Sequence, residues 1–231
     1  MSASVLDTPV LAQAGEELAH RLRSFLVAVR SPSGGGSGTV WSADGLIVTN
    51  HHVVPGDRAE VQLPDDRVLP ARVIARDPLR DLAGLRVDAV ALSAAKPADS
   101  DAVRVGQLVF AIGNPWGQRG TLTAGIVMSK GPAALENEVP LDEAIHADVR
   151  LARGNSGGAL ADAEGNVIGI NSMIAGGVAI AVPSNEVQRF LAGDIAGRGF
   201  LGIEGRVVPL PPKVAAAYRG DGGLLVTDVL P

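Results

Sequence analysis

The sequence predicts an all-β fold, an antiparallel barrel or sandwich, with a short helix near each end of its main domain. Three observations carry this. The apolar runs are short, and glycine, proline or asparagine separates each from the next. Helical periodicity does not alternate with them, which argues against a parallel α/β sheet. Composition agrees, since 29 glycines with only 3% aromatic residues suit tight turns and cores packed from Val, Ile and Ala.

Taken in order, residues 9–23 read as a helix. Pro9 suits a first turn, and Leu11, Leu18 and Leu22 fall near one face. "FLVAVRS" (25–31) reads as a strand and "PSGGGSG" (32–38) as a flexible loop. "GTVWSADGLIVTN" is a hairpin turning at Ala43-Asp44-Gly45. "AEVQLPDDRVLPARVIARD" is a second, turning at Pro64-Asp65-Asp66. "QLVFAIGNP", "GTLTAGIVMSK", "EAIHADVRL", "GALADAEGNVIGINSMI" and "GVAIAVPSN" continue the pattern. "NEVQRFLAGDIAG" (185–197) reads as a closing helix, capped by Ser184 or Asn185 and ended by Gly193 or Gly197. The remaining stretch, 198–231, holds a strand, a proline-rich turn, a short helix and another strand. It looks like the beginning of a second module, cut off and too short for a secure core of its own. The expected division is 1–24, an N-terminal helical segment; 25–197, the main domain; and 198–231, the incomplete module.

Bulk properties narrow the function. A net charge of −5 argues against a general nucleic-acid binder. With no cysteine, thiolate catalysis, disulfides and cysteine-based zinc sites are excluded. Four histidines, His20, His51, His52 and His146, leave little material for a metal site, so no metal and no organic cofactor are expected. No run approaches the roughly 18 apolar residues of a transmembrane segment. The N-terminus lacks a basic start followed by an apolar core, so it is no secretory signal as written. The expectation is a cytoplasmic protein if the chain is complete, or one whose targeting segment is missing.

The chemistry concentrates in "ARGNSGGAL" (152–160). Nucleophilic serine catalysis needs a hydroxyl on a rigid turn, a base, a carboxylate that orients the base, and N–H groups converging on the oxyanion. Glycines beside a serine permit the required backbone and let a substrate approach. Gly154, Asn155 and Ser156 are therefore a plausible oxyanion loop with Ser156 as nucleophile; the same residues would also suit a plain surface turn. The base candidates are His51 and His52 in "IVTNHHVV", at a strand end. The acid candidates lie in "ARDPLRDLAGLRV": Asp77, before a proline, and Asp81, where loop gives way to apolar core.

In order, "TNHHVV", "RDLAGL" and "GNSGGAL" resemble the HtrA/Deg family of trypsin-like serine proteases. "GSGTVWSADGLIVTN", "AIGNPWG", "GTLTAGIV", "GINSMI", "GVAIAVPSN" and "RGFLGI" extend the likeness over about residues 25–231, the last resembling entry to a PDZ domain. The resemblance implies two six-stranded β-barrels of the trypsin-like type, followed by a partial PDZ-like segment. It places the base at His52, directly before Val53-Val54, the orienting acid at Asp81 and the nucleophile at Ser156. The oxyanion donors would be the N–H groups of Gly154 and Ser156, with Asn155 nearby. Arg150, Asn171, Ser172 and Ile174 are the substrate-contacting candidates. The implied activity is ATP-independent endopeptidase action on unfolded or damaged proteins, in a homo-oligomer, often a trimer, of the periplasm or cell envelope. A different class is also open: a chaperone-like or peptide-binding protein whose catalytic site is usually closed.

The chain departs from the family pattern in two places. Ala152-Arg153 stands where many relatives have Asn-Pro, and Arg150 occupies a position, six before the serine, that is often small. Arg150 would either line the primary specificity pocket and favour acidic side chains, or face the surface and pair with Asp148 or Asp142. The second is expected, because burying an unpaired guanidinium is expensive.

Overall fold

The computed structural model describes residues 8–32, 34–134, 140–175, 177–193, 203–210 and 222–229. Two compact units are present, Met1–Asp194 and Ile195–Pro231.

The first unit contains two closed antiparallel barrels of six strands each. Strands β1 (Leu26–Ser31), β2 (Gly34–Ser42), β3 (Leu46–Thr49), β4 (Arg58–Gln62), β5 (Val68–Asp77) and β6 (Leu82–Val87) form the first, in the order β1-β2-β3-β6-β5-β4. It closes where β1 pairs with β4. Strands β7 (Leu108–Gly113), β8 (Thr121–Ala134), β9 (Pro140–Ala147), β10 (Ala159–Asp162), β11 (Val167–Ala175) and β12 (Val178–Pro183) form the second, in the order β10-β11-β12-β9-β8-β7. It closes through β10 and β7. The expected all-β class and both hairpins are observed, and closure removes the exposed edges a sandwich would leave.

The cores are aliphatic. Ile47, Leu63, Leu82 and Leu85 are fully buried on the first barrel, and Ile145, Leu160 and Ile168 in a separate cluster of the second. Aliphatic side chains suffice to fill small barrels, which explains how so few aromatic residues serve.

Helix α1 (Thr8–Ser24) buries Leu18 and Leu22. The Arg21 and Arg23 guanidinium groups at its end donate to the carbonyls of Glu164 and Gly120. Helix α2 (Ser184–Leu191) follows β12 directly and turns off at Gly193. Neither expected cap residue caps it. The Ser184 hydroxyl donates to Ala98 O, while Asn185 accepts from Ser100 N–H and donates to Asp99, so both are spent on the 98–100 loop.

A further sequence expectation is overturned. Gly34–Gly38 is not a loop but the first half of β2, in register with β1 from Ser31↔Gly34 to Val27↔Gly38. The glycines are there for closeness. A Cβ at Gly36 would come 2.9 Å from the Ser156 carbonyl, and one at Gly38 would meet Ile47 and Val27 at 2.9 Å.

In the second unit, β13 (Ile203–Pro209) and β14 (Gly222–Val229) pair antiparallel. The short helix expected between them lies outside the described residues.

Candidate active site

The residues singled out from sequence come together where the barrels meet. His52 sits in a 3₁₀ turn, His51–Val53, immediately after β3. Asp81 closes the turn between β5 and β6, Ser156 lies in the β9–β10 connection, and Ser172 is on β11.

Asp81 is buried and its carboxylate is fully engaged. Oδ2 lies 2.8 Å from His52 Nδ1 and Oδ1 3.0 Å from it. The His52 backbone N–H donates to Oδ1 at 3.1 Å, and the Ser172 hydroxyl to Oδ2 at 2.6 Å. A carboxylate facing Nδ1 favours the ring proton there, the tautomer in which Nε2 carries the lone pair a general base needs. His52 itself is half exposed. The Ser156 hydroxyl donates to the Ser172 carbonyl at 2.7 Å. Ser172 thus touches both ends of the arrangement, its side chain the acid and its backbone the serine. It does so from an irregularity in β11, where the register with β12 shifts between Asn171 and Met173. Such bulges re-aim a side chain out of the sheet.

Asp81 has φ +53, a left-handed backbone that costs a non-glycine residue on the order of 1–3 kcal/mol. Its carbonyl accepts from His51 N–H and from the buried Asn50 side chain, which hold the peptide in place. His51 faces elsewhere, with Nδ1 3.1 Å from Arg76, whose guanidinium also donates to the carbonyls of Val54 and Gly56. Burial, then the Arg76 charge, holds the His51 imidazole below its ordinary pKa.

The serine loop is shaped by glycine torsions, with φ +103 at Gly154 and +85 at Gly157. The loop's hydrogen bonds account for the N–H groups of Asn155, Gly157 and Gly158. Those of Gly154 and Ser156 have no acceptor among the described residues, leaving both available to an incoming oxygen. Trp116 N–H donates to Arg153 O and fixes the peptide preceding Gly154. The Asn155 side chain is buried beneath the loop, packed so tightly on Gly113 that a Cβ there would lie 2.5 Å from Oδ1.

The first barrel braces this loop through three fully buried polar side chains that sequence inspection did not single out. The Ser37 hydroxyl donates to Gly154 O at 2.6 Å, and Ser37 N–H to Ser156 O. Thr39 donates to Gly157 O, and Thr49 to Ser37 O. The glycine pattern around Ser37 was the available signal, since glycine inside a strand marks close backbone approach. Gly157→Ala tests this brace. A Cβ there would lie 2.0 Å from the Ser37 carbonyl and 2.4 Å from Thr49 Oγ1, at a φ alanine avoids. We expect a loss of about 2–4 kcal/mol in denaturant unfolding, together with lost activity. Unchanged stability would show that the brace yields freely.

The other candidates fall in distinct places. Asn171 is buried, its amide donating to the carbonyls of Ile112 and Ala159. Ile174 is 46% exposed. Arg150 is exposed and makes no ion pair among the described residues; its carbonyl accepts from the Thr123 hydroxyl. Arg153 is exposed as well.

Comparison with known proteins agrees with the double-barrel fold. Residues 36–170 match the trypsin-like peptidase domain family. The chain is 36% identical over 230 residues to a probable periplasmic serine protease do/HhoA-like of Haemophilus influenzae, covering 94% of this chain and 49% of that protein. It is 40% identical over 212 residues to the periplasmic serine endoprotease DegP of Escherichia coli, covering 85% and 44%. It therefore spans about half the length of these curated relatives. Among solved structures, the HtrA-type protease AlgW with a decapeptide superposes with TM-score 0.71 at 30% identity, over 93% of this chain and 78% of that one. AlgW with a tripeptide gives 0.72 at 33% identity, over 94% and 76%. Matched in domain, in sequence and in fold, the chain belongs to the HtrA-type branch of the trypsin-like peptidase family.

Proposed function

We propose that the chain is an ATP-independent serine endopeptidase acting on unfolded or damaged polypeptide. One observation carries the reading: a single serine, Ser172, joins the carboxylate that orients His52 to the hydroxyl of Ser156. In this reading the Ser156 proton leaves the Ser172 carbonyl for His52 Nε2 as the oxygen attacks the scissile carbonyl. The oxyanion is received by Gly154 and Ser156 N–H. His52 then protonates the leaving amine, and water hydrolyses the acyl-enzyme by the same steps. These steps need no metal or organic cofactor. The chaperone-like alternative requires a closed site, and the two open loop N–H groups argue against it. A fluorophosphonate probe decides: it should label Ser156 in the folded protein, and absence of labelling would favour the alternative.

The relatives' names support a periplasmic setting, and the peptides in the AlgW structures support a peptide substrate. No helix among the described residues is long and apolar enough to cross a membrane. Assembly as a homo-oligomer, a trimer, and the reading of β13–β14 as the opening of a PDZ-like module rest on family resemblance. Light scattering and a peptide-binding titration test them.

Exposure of Arg150 favours a small aliphatic preference before the cut. Arg150→Ala should leave a cleavage profile on a denatured protein library unchanged, with stability altered by no more than about 0.5 kcal/mol. A wild-type profile dominated by Asp or Glu would instead make Arg150 a pocket residue.

A further inference from the structure

We propose that Arg80 and Glu186 form a positioning pair that holds the orienting carboxylate, Asp81, against His52. The proposal rests on the reading of Asp81 above. Asp81 ends the four-residue turn Pro78–Asp81 and sits in the left-handed region. A non-glycine residue stays there only if its surroundings over-determine it. On the His52 side the Asp81 carbonyl is held by His51 and Asn50. The other side of the turn is held by a network the chemistry does not use.

Asp77, buried at the end of β5, accepts from the N–H groups of Leu79 and Arg80 through Oδ1. Its Oδ2 takes Arg80 Nη1 at 2.6 Å. The same guanidinium reaches across 106 residues of chain, and its Nε donates to Glu186 Oε2 on α2 at 2.7 Å. Glu186 is also buried, and its second oxygen is paired with Arg189. Two carboxylates and two guanidinium groups balance in charge. Because Arg80 immediately precedes Asp81, a shift of its backbone turns the Asp81 peptide. Arg80 is planar and forked, so its two contacts fix both its position and its orientation. The pair thereby anchors the acid-bearing turn to α2, an element outside the barrel that carries the acid.

The test separates positioning from simple stabilisation. Arg80→Met, Arg80→Lys and Glu186→Gln are compared at a temperature where each is folded by circular dichroism. Readouts are kcat and KM on a peptide substrate, and the low-field proton resonance of His52 Nδ1. A misplacement of the kind expected lowers kcat by about ten- to a hundred-fold. Arg80→Met should show this with KM nearly constant and the low-field resonance weakened or lost, and Arg80→Lys should restore part of it. If Arg80→Met does not fold, Glu186→Gln, which keeps the side-chain volume, must still lower kcat. Wild-type kcat with an intact resonance in a folded Arg80→Met or Glu186→Gln overturns the proposal. Asp81→Asn, run in parallel, tells the two failures apart. If that variant keeps full activity, the reading of Asp81 is wrong; if it alone loses activity, only the positioning role is.

Discussion

Ser156→Ala and His52→Ala should each remove turnover almost completely, lowering kcat by roughly six orders of magnitude, whereas His51→Ala should retain most of it. The large figure follows from the way nucleophile and base act as one unit: with either gone, only binding and the oxyanion donors remain. The contrast between adjacent histidines follows from geometry. His52 Nδ1 meets both oxygens of Asp81, while His51 Nδ1 meets a cation, Arg76, which cannot orient it as a base. Hydrolysis of a fluorescently labelled denatured protein provides the assay, and circular dichroism with thermal unfolding of each variant separates lost chemistry from lost folding. Should His51→Ala destroy activity while His52→Ala spares it, the roles assigned to the two are reversed.

How much of this was legible in the sequence differs from residue to residue. Strand runs and turns were readable because alternation and turn chemistry are local. The ordered motifs around His52, Asp81 and Ser156 were readable because each needs a particular residue type at a chain turn. What brings them together was not. Ser37, Thr39 and Thr49 look like ordinary strand polars, and only the approach of the second barrel turns them into a brace. Ser172 was singled out as a substrate contact, yet its hydroxyl is spent on Asp81, 91 residues away. The Gly34–Gly38 run misled for a physical reason: glycine marks both flexibility and tight approach, and a linear sequence does not say which. The ion network of Asp77, Arg80, Glu186 and Arg189 was equally invisible, since charged residues in a turn and a helix ordinarily face water.

Asp81→Asn should keep the fold and lower kcat by about 10⁴. The contacts of the carboxylate say why an isosteric amide cannot substitute. Oδ1 accepts a hydrogen bond from the His52 backbone N–H, a fixed donor that cannot tolerate an NH₂ group opposite it. The amide nitrogen is therefore driven into the Oδ2 position, facing the Ser172 hydroxyl and His52 Nδ1. The hydroxyl can rotate and accept; the imidazole can accept only by moving its proton to Nε2. That tautomer presents an N–H to Ser156 where a lone pair is needed, so the base is lost although every atom is nearly in place. Nitrogen-15 chemical shifts of His52 read the tautomer directly, and should show the proton on Nδ1 in the wild-type protein and on Nε2 in the variant. Activity within tenfold of wild type would transfer the role to another carboxylate, and Asp77 is the nearest in sequence. The geometry weighs against Asp77, because its two oxygens are already taken by Leu79, Arg80 and the Arg80 guanidinium, on the side of the turn that faces α2.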